Sequence, residues 1–147
     1  MTSAASTLLV AEPPAQYLVK PPLVVDASVL NALLFNEPER DAAAQQLEGR
    51  HLLAPRLLDY EVASVALKKH KRGLPASDIE LALSLYEGLA LERCDIPVPE
   101  VYELATRTGL TTYDAAYLWL ANYLKAPLIT LDAQLAAAAR TYLQDTR

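Results

Sequence analysis

From residue 23 onward the chain switches between short apolar runs and longer stretches in which apolar residues recur at helical spacing. LVV at 23–25, HLLA at 51–54, LERC at 91–94 and LIT at 128–130 are strand-sized. Helical spacing fills the intervals, at 27–36, 39–48, 55–72, 76–88, 98–108, 112–125 and 133–143. Gly49 and Gly73 fall where helices should end, and Pro38, Pro55, Pro75 and Pro97 near where they should begin. Strands alternating with helices predict an α/β fold, a central and mainly parallel sheet covered on both faces. Residues 1–22 follow neither period. They carry Pro13, Pro14, Pro21 and Pro22 and one short apolar patch, LLV at 8–10, and read as an N-terminal extension or arm before a single domain at 23–147.

In such sheets ligands bind beyond the carboxyl ends of the strands, which draws attention to the acids that follow them. Asp26 comes straight after LVV, and Asp132 comes just after LIT; a helix begins behind each. Each has two readings. A carboxylate there caps the helix by accepting a free backbone N–H. Alternatively, if the two strands are neighbours, about 4.8 Å apart, both carboxylates emerge side by side and can share an ion. Glu61 is a different case. Leu57, Leu58, Val62 and Val65 mark the inward stripe of a helix, and Glu61 lies on it, four residues from Leu57 and from Val65. An ionised acid facing a core is costly without a cation beside it, unless it snorkels from the stripe's edge. Asp59 falls near the helix start, where the dipole welcomes it, and is read as structural. Asp114 borders the stripe Tyr113, Tyr117, Leu120, Ala121 and Leu124, and with Thr111 also matches a capping box.

Taken together the acids say more than singly. A cap contributes about 1 kcal/mol, whereas two like charges 4 Å apart repel by roughly 4 kcal/mol at an effective dielectric of 20. Convergence of Asp26, Glu61, Asp114 and Asp132 therefore calls for a cation. All-oxygen ligation selects Mg²⁺ or Mn²⁺, and the matching chemistry is phosphodiester hydrolysis by metal-activated water.

Composition narrows the field. The 147 residues are 52% hydrophobic and 21% charged, those of an ordinary globular domain with room for one core. A formal charge of −5 argues against coating nucleic acid by bulk positive charge, but leaves open an enzyme that works through a cation. No apolar run has membrane-spanning length, and MTSAASTLLVAEPP lacks the basic and apolar segments of a secretory signal, so a cytoplasmic protein is expected. Cys94 is the sole cysteine, which excludes an internal disulfide and a cysteine-rich zinc site.

VVDASVLNALL, the Glu of LLDYEVASVAL, LTTYDAAYLWLA and LITLDAQLA resemble, in that order, the acidic motifs of PIN-domain ribonucleases, and are most similar to VapC-type toxins of toxin–antitoxin pairs, over roughly residues 23–143. The resemblance implies a three-layer α/β/α PIN-like fold and a Mg²⁺- or Mn²⁺-dependent endoribonuclease acting on RNA such as tRNA or rRNA. By position, Asp26, Glu61, Asp114 and Asp132 match the family's metal-binding catalytic acids, and Ser28 and Thr130 its small hydroxyl residues that orient acids or water. It also implies a homodimer held inactive by a small antitoxin, which commonly sets a basic side chain into the acidic site. Two features depart from the pattern: the arm before Asp26 is long, and no short edge strand is evident after the last helix.

KKHKR at 68–72 offers Lys68, Lys69, Lys71 and Arg72 either to RNA phosphates or to the negative end of its own helix, closed by Gly73. Tyr113, Tyr117, Trp119 and Tyr123 offer rings that could stack on bases, but most of the group falls on the core stripe and reads as packing, while Trp119 lies off it, where it could meet a partner chain. Ser28 stands where a haloacid-dehalogenase-like phosphatase needs a second Asp, and a receiver's acidic pair and late Lys are missing. The surviving alternative is a PIN-like module that binds RNA or protein without cleaving.

Overall fold

The computed structural model describes residues 19–145 together with Leu9 and Ala11, so most of the predicted arm, including Leu8 and Val10 of its LLV patch, lies outside the described residues. The elements run β1 (Pro22–Val25), α1 (Ala27–Leu34), α2 (Arg40–Leu47), β2 (His51–Pro55), α3 (Leu57–Lys71), α4 (Ala76–Glu87), β3 (Leu91–Cys94), α5 (Val98–Thr108), α6 (Thr112–Leu124), β4 (Leu128–Ile129) and α7 (Ala133–Asp145). Hydrophobic period had predicted every one to within about two residues.

The strands pair in parallel in the order β3-β2-β1-β4. Parallel crossovers are right-handed. The steps β1 to β2 and β2 to β3 move in one direction, which puts α1 to α4 on one face. The return from β3 to β4 moves the other way, which puts α5 and α6 on the opposite face. A three-layer α/β/α arrangement results. Leu30 and Val29 of α1, with Leu58 and Val62 of α3, fill the first interface; Leu118, Leu120 and Ala121 of α6 and Leu135 of α7 fill the second, and the fully buried Val24 and Val25 of β1 point one to each face. Because β1 has a neighbour on each side, its carboxyl end lies in the middle of the sheet edge. The chain turns of β2 and β4 rise on either side of it.

Two stripes differ from the sequence reading. The buried line of α3 is Leu58, Val62 and Ala66, so Leu57, Glu61 and Val65 form its half-buried flank rather than its centre. On α6, Ala115 to Leu118, Leu120 and Ala121 are all buried, while Tyr113 is 64% exposed. A helix laid across β1, β2 and β4 and flanked by α5 and α7 is covered almost all round, and a single-stripe template misplaces its first turn. Among the described residues no helix is long and apolar enough to cross a membrane.

Candidate active site

Asp26 occupies the carboxyl end of β1 and is 5% exposed, the one buried charged or polar side chain among the described residues. It caps α1 as the sequence suggests, Oδ1 accepting from the Val29 N–H at 3.3 Å. The cap does not exhaust it. The Ser28 hydroxyl donates to the same oxygen at 2.6 Å, and the Thr130 hydroxyl donates to Oδ2. Register explains the second bond: Val25 pairs with Ile129, so the next pair across the two strands is Asp26 and Thr130.

Both hydroxyls are fixed from behind. The Leu131 N–H donates to Ser28 Oγ at 2.8 Å, and the Asp132 N–H donates to Thr130 Oγ1 at 3.0 Å. Each hydroxyl has one proton and has given it to Asp26, so the 3.5 Å approach between the two is a contact without a shared proton. Asp132 in turn caps α7, its Oδ1 accepting from the Leu135 N–H at 2.8 Å. The first and last acids thus belong to one hydrogen-bonded unit spanning β1, α1 and the β4–α7 turn.

Glu61 reaches the same edge from α3, half-buried, with Oε1 accepting from the Tyr117 hydroxyl at 2.6 Å. Asp114 sits half-buried in the first turn of α6, where its N–H donates to Thr111 Oγ1 at 3.1 Å, the cap expected from the sequence.

Their charges feel one another. Burial pushes the Asp26 carboxyl above its ordinary 3.8, against the lowering bonds from Ser28, Thr130 and Val29 and with help from the charge of Asp132. Burial likewise raises Glu61, opposed by Tyr117 and reinforced by Asp26 and Asp114. Asp114 is raised by burial and then by Asp132 and Asp26. No salt bridge among the described residues reaches any of the four. Their partners are hydroxyls and backbone amides, which fix a carboxylate without cancelling its charge. Such an oxygen-only, negative donor set fits a hard divalent cation that retains waters of its own. The acids do not close a shell by themselves: among the described residues no three His, Cys, Asp or Glu side chains stand together as a metal-ligand group.

The basic run is not brought to this edge. Lys68 to Arg72 end α3, roughly 10 to 16 Å beyond Glu61 at about 1.5 Å per residue, and α3 runs back toward the opposite edge of the sheet. Lys69 there pairs with Glu37 at 3.2 Å. Two features escaped the sequence reading. Asp59 does more than meet a helix dipole: it accepts from the Tyr86 hydroxyl and from Arg93, whose Nη2 lies at 3.0 Å. Tyr117 packs as its place on the stripe predicts, but a buried Tyr must also place its hydroxyl, and the partner it finds is Glu61 of α3, to which no local spacing links it.

A family model described as PIN domain matches residues 23–141. Ribonuclease VapC3 of Pyrobaculum aerophilum is 35% identical over 122 residues, covering 78% of this chain and 92% of its own length. Ribonuclease VapC9 of Mycobacterium tuberculosis is 36% identical over 117 residues, covering 78% and 88%. Among solved structures, the crystal structure of PAE2754 from Pyrobaculum aerophilum superposes with a TM-score of 0.62 at 25% identity, over 86% of this chain and 90% of that one.

Proposed function

This chain belongs to the PIN domain family, and from that premise we propose that it is an endoribonuclease of the VapC kind, the toxin of a toxin–antitoxin pair, cutting RNA at the edge where its four acids face one another. The observation that supports the reading is the hydrogen-bonded unit of Asp26, Ser28, Thr130 and Asp132 at the carboxyl edge, with Glu61 and Asp114 near enough to act on Asp26 by charge. Relatives named as VapC ribonucleases over most of their length support the activity. Residues 23–147 form the catalytic unit in this reading, with 1–22 an extension outside it, and the enzyme works in the cytoplasm.

Asp26, Glu61, Asp114 and Asp132 are the residues to hold Mg²⁺ or Mn²⁺. Bound there, the ion would supply the Lewis acidity that makes water a nucleophile at neutral pH and steadies charge on the phosphate. The chain's own part is placement. Ser28 and Thr130 fix both oxygens of Asp26, and the caps on α1 and α7 keep Asp26 and Asp132 from turning away. Neither imidazole serves the edge: His51 starts β2 and pairs with Glu92 at 2.7 Å, and His70 ends α3. The uncancelled negative charge also suits a basic antitoxin side chain, which would compete with the ion. Val98, Tyr102 and Tyr113, exposed around an apolar hollow of about 450 Å³, support a homodimer through this face.

A second reading, a PIN-like module that binds RNA or protein without cleaving, is favoured by the open spacing of the acids. Cleavage of a defined tRNA pool separates the two. Discrete fragments are expected with Mg²⁺ or Mn²⁺, none with chelator, and none from Asp26→Asn prepared identically. Binding of the pool without fragments, under every ion tried, would favour the second reading.

A further inference from the structure

Glu61 is the one acid of the four that comes from a long helix flank rather than from a turn, and it is held by a single side chain. Tyr117 is 1% exposed and stands one turn after Asp114 on α6, yet its hydroxyl crosses to α3 and donates to Glu61 Oε1 at 2.6 Å. Among the described residues no other donor meets Glu61, so Oε2 is left to the edge. The ring is locked between the sheet and the helices, which makes the hydroxyl a fixed point rather than a surface contact.

We propose that Tyr117 is a positioning residue that engages Oε1 of Glu61 and so presents Oε2, the oxygen without a donor, first to a divalent cation. The proposal rests on Glu61 being a metal-holding acid. Its consequence is selectivity between ions. Mg²⁺ demands short, near-octahedral bonds and is satisfied by one oxygen per carboxylate, whereas Ca²⁺ takes longer bonds and readily accepts both oxygens of one carboxylate. A Glu61 tied at Oε1 favours the first; a Glu61 released from the hydroxyl swings to offer both oxygens and favours the second.

The test is calorimetric titration of the full chain, wild type and Tyr117→Phe, with Mg²⁺ and with Ca²⁺ in separate experiments. Loss of a partner that orients a ligand weakens binding about 10- to 100-fold, so Mg²⁺ affinity is expected to fall at least about tenfold. Ca²⁺ affinity is expected to fall less or to rise, narrowing the preference between the ions. Unchanged affinities, or equal losses for both ions, would overturn the positioning role, because a defect in packing alone carries no ionic preference. If Tyr117→Phe does not fold, Glu61→Asp draws the carboxylate back from the hydroxyl by one methylene with the ring in place, and the same narrowing is required of it. A wild-type chain that takes up neither ion would instead overturn the metal-site reading itself, an outcome distinct from the failure of Tyr117 within an intact site.

Discussion

Asp26 shows how one residue carries a structural and a chemical task without choosing between them. Capping uses Oδ1 and one backbone amide; the Ser28 hydroxyl fills the same oxygen, and the Thr130 hydroxyl takes one side of Oδ2, whose other lone pair is left toward the edge. The carboxylate is nevertheless buried, and burial raises its pKa against all of those bonds. A raised acid stabilises the fold below its ordinary pKa, and that contribution is lost as pH rises through the raised value. Asp26→Asn keeps the cap, since Asn caps about as well as Asp, and removes the charge. In chelator its melting temperature relative to wild type is therefore expected to increase between about pH 4 and about pH 7.5; a difference that stays constant would mean that burial does not govern this charge. The same variant should lose at least about a hundredfold in cleavage, and Ser28→Ala or Thr130→Ala about 10- to 100-fold. Much of this was readable beforehand, because an acid closing an apolar run has few places to be. The reach of Thr130 depended on register between strands more than a hundred residues apart, and that no local pattern carries.

At the scale of elements, strands and helices followed their periods closely because each segment between Gly and Pro boundaries buries a face of its own kind. Placement around a helix axis was less legible. Glu61 flanks the stripe of α3 instead of sitting on it, and Tyr113 is exposed, since which face is covered depends on neighbours that arrive later in the chain. The Asp59 network is the clearest case: α3, α4 and β3 meet through Asp59, Tyr86 and Arg93, with the Arg93 guanidinium 5.5 Å from the Tyr86 ring. Burial alone would raise the Asp59 carboxyl; the bonds from Arg93 and Tyr86 and the charges of Arg93 and Arg56 together hold it below its ordinary 3.8. A depressed acid has the opposite sign from Asp26. Its contribution is present above the ordinary pKa and lost as pH falls through the depressed one. Asp59→Asn should thus lower the urea midpoint at about pH 6, and the gap to wild type should close toward about pH 3. A gap of equal size at both values would show that Asn fills the network as well as the ion does, leaving the charge without a role.

For the whole molecule, the sheet separates two ends of unlike charge: the acids gather at the carboxyl edge, while Lys68 to Arg72 lie toward the other. RNA approaching the acid edge of a chain with a formal charge of −5 meets repulsion unless an ion or a second surface offsets it. A second copy of the chain would offer such a surface. Val98 and Tyr102 on α5 are 79% and 67% exposed, and with Tyr113 they rim the hollow beside the start of α6, one residue from Asp114. Apolar side chains so exposed and so close together are unusual on a free surface, and joining two copies here would cover them and widen the edge available to a long polyanion. Sedimentation equilibrium is expected to return twice the chain mass of 16.1 kDa for the wild type, and a single mass for Tyr102→Glu. Because Tyr102 is exposed, the variant should melt as the wild-type monomer would, within about 0.5 kcal/mol, so that dissociation cannot be mistaken for unfolding. A variant that remains a dimer would move the interface off this face, and the exposed tyrosines beside Asp114 would then be free to stack on the bases of the substrate.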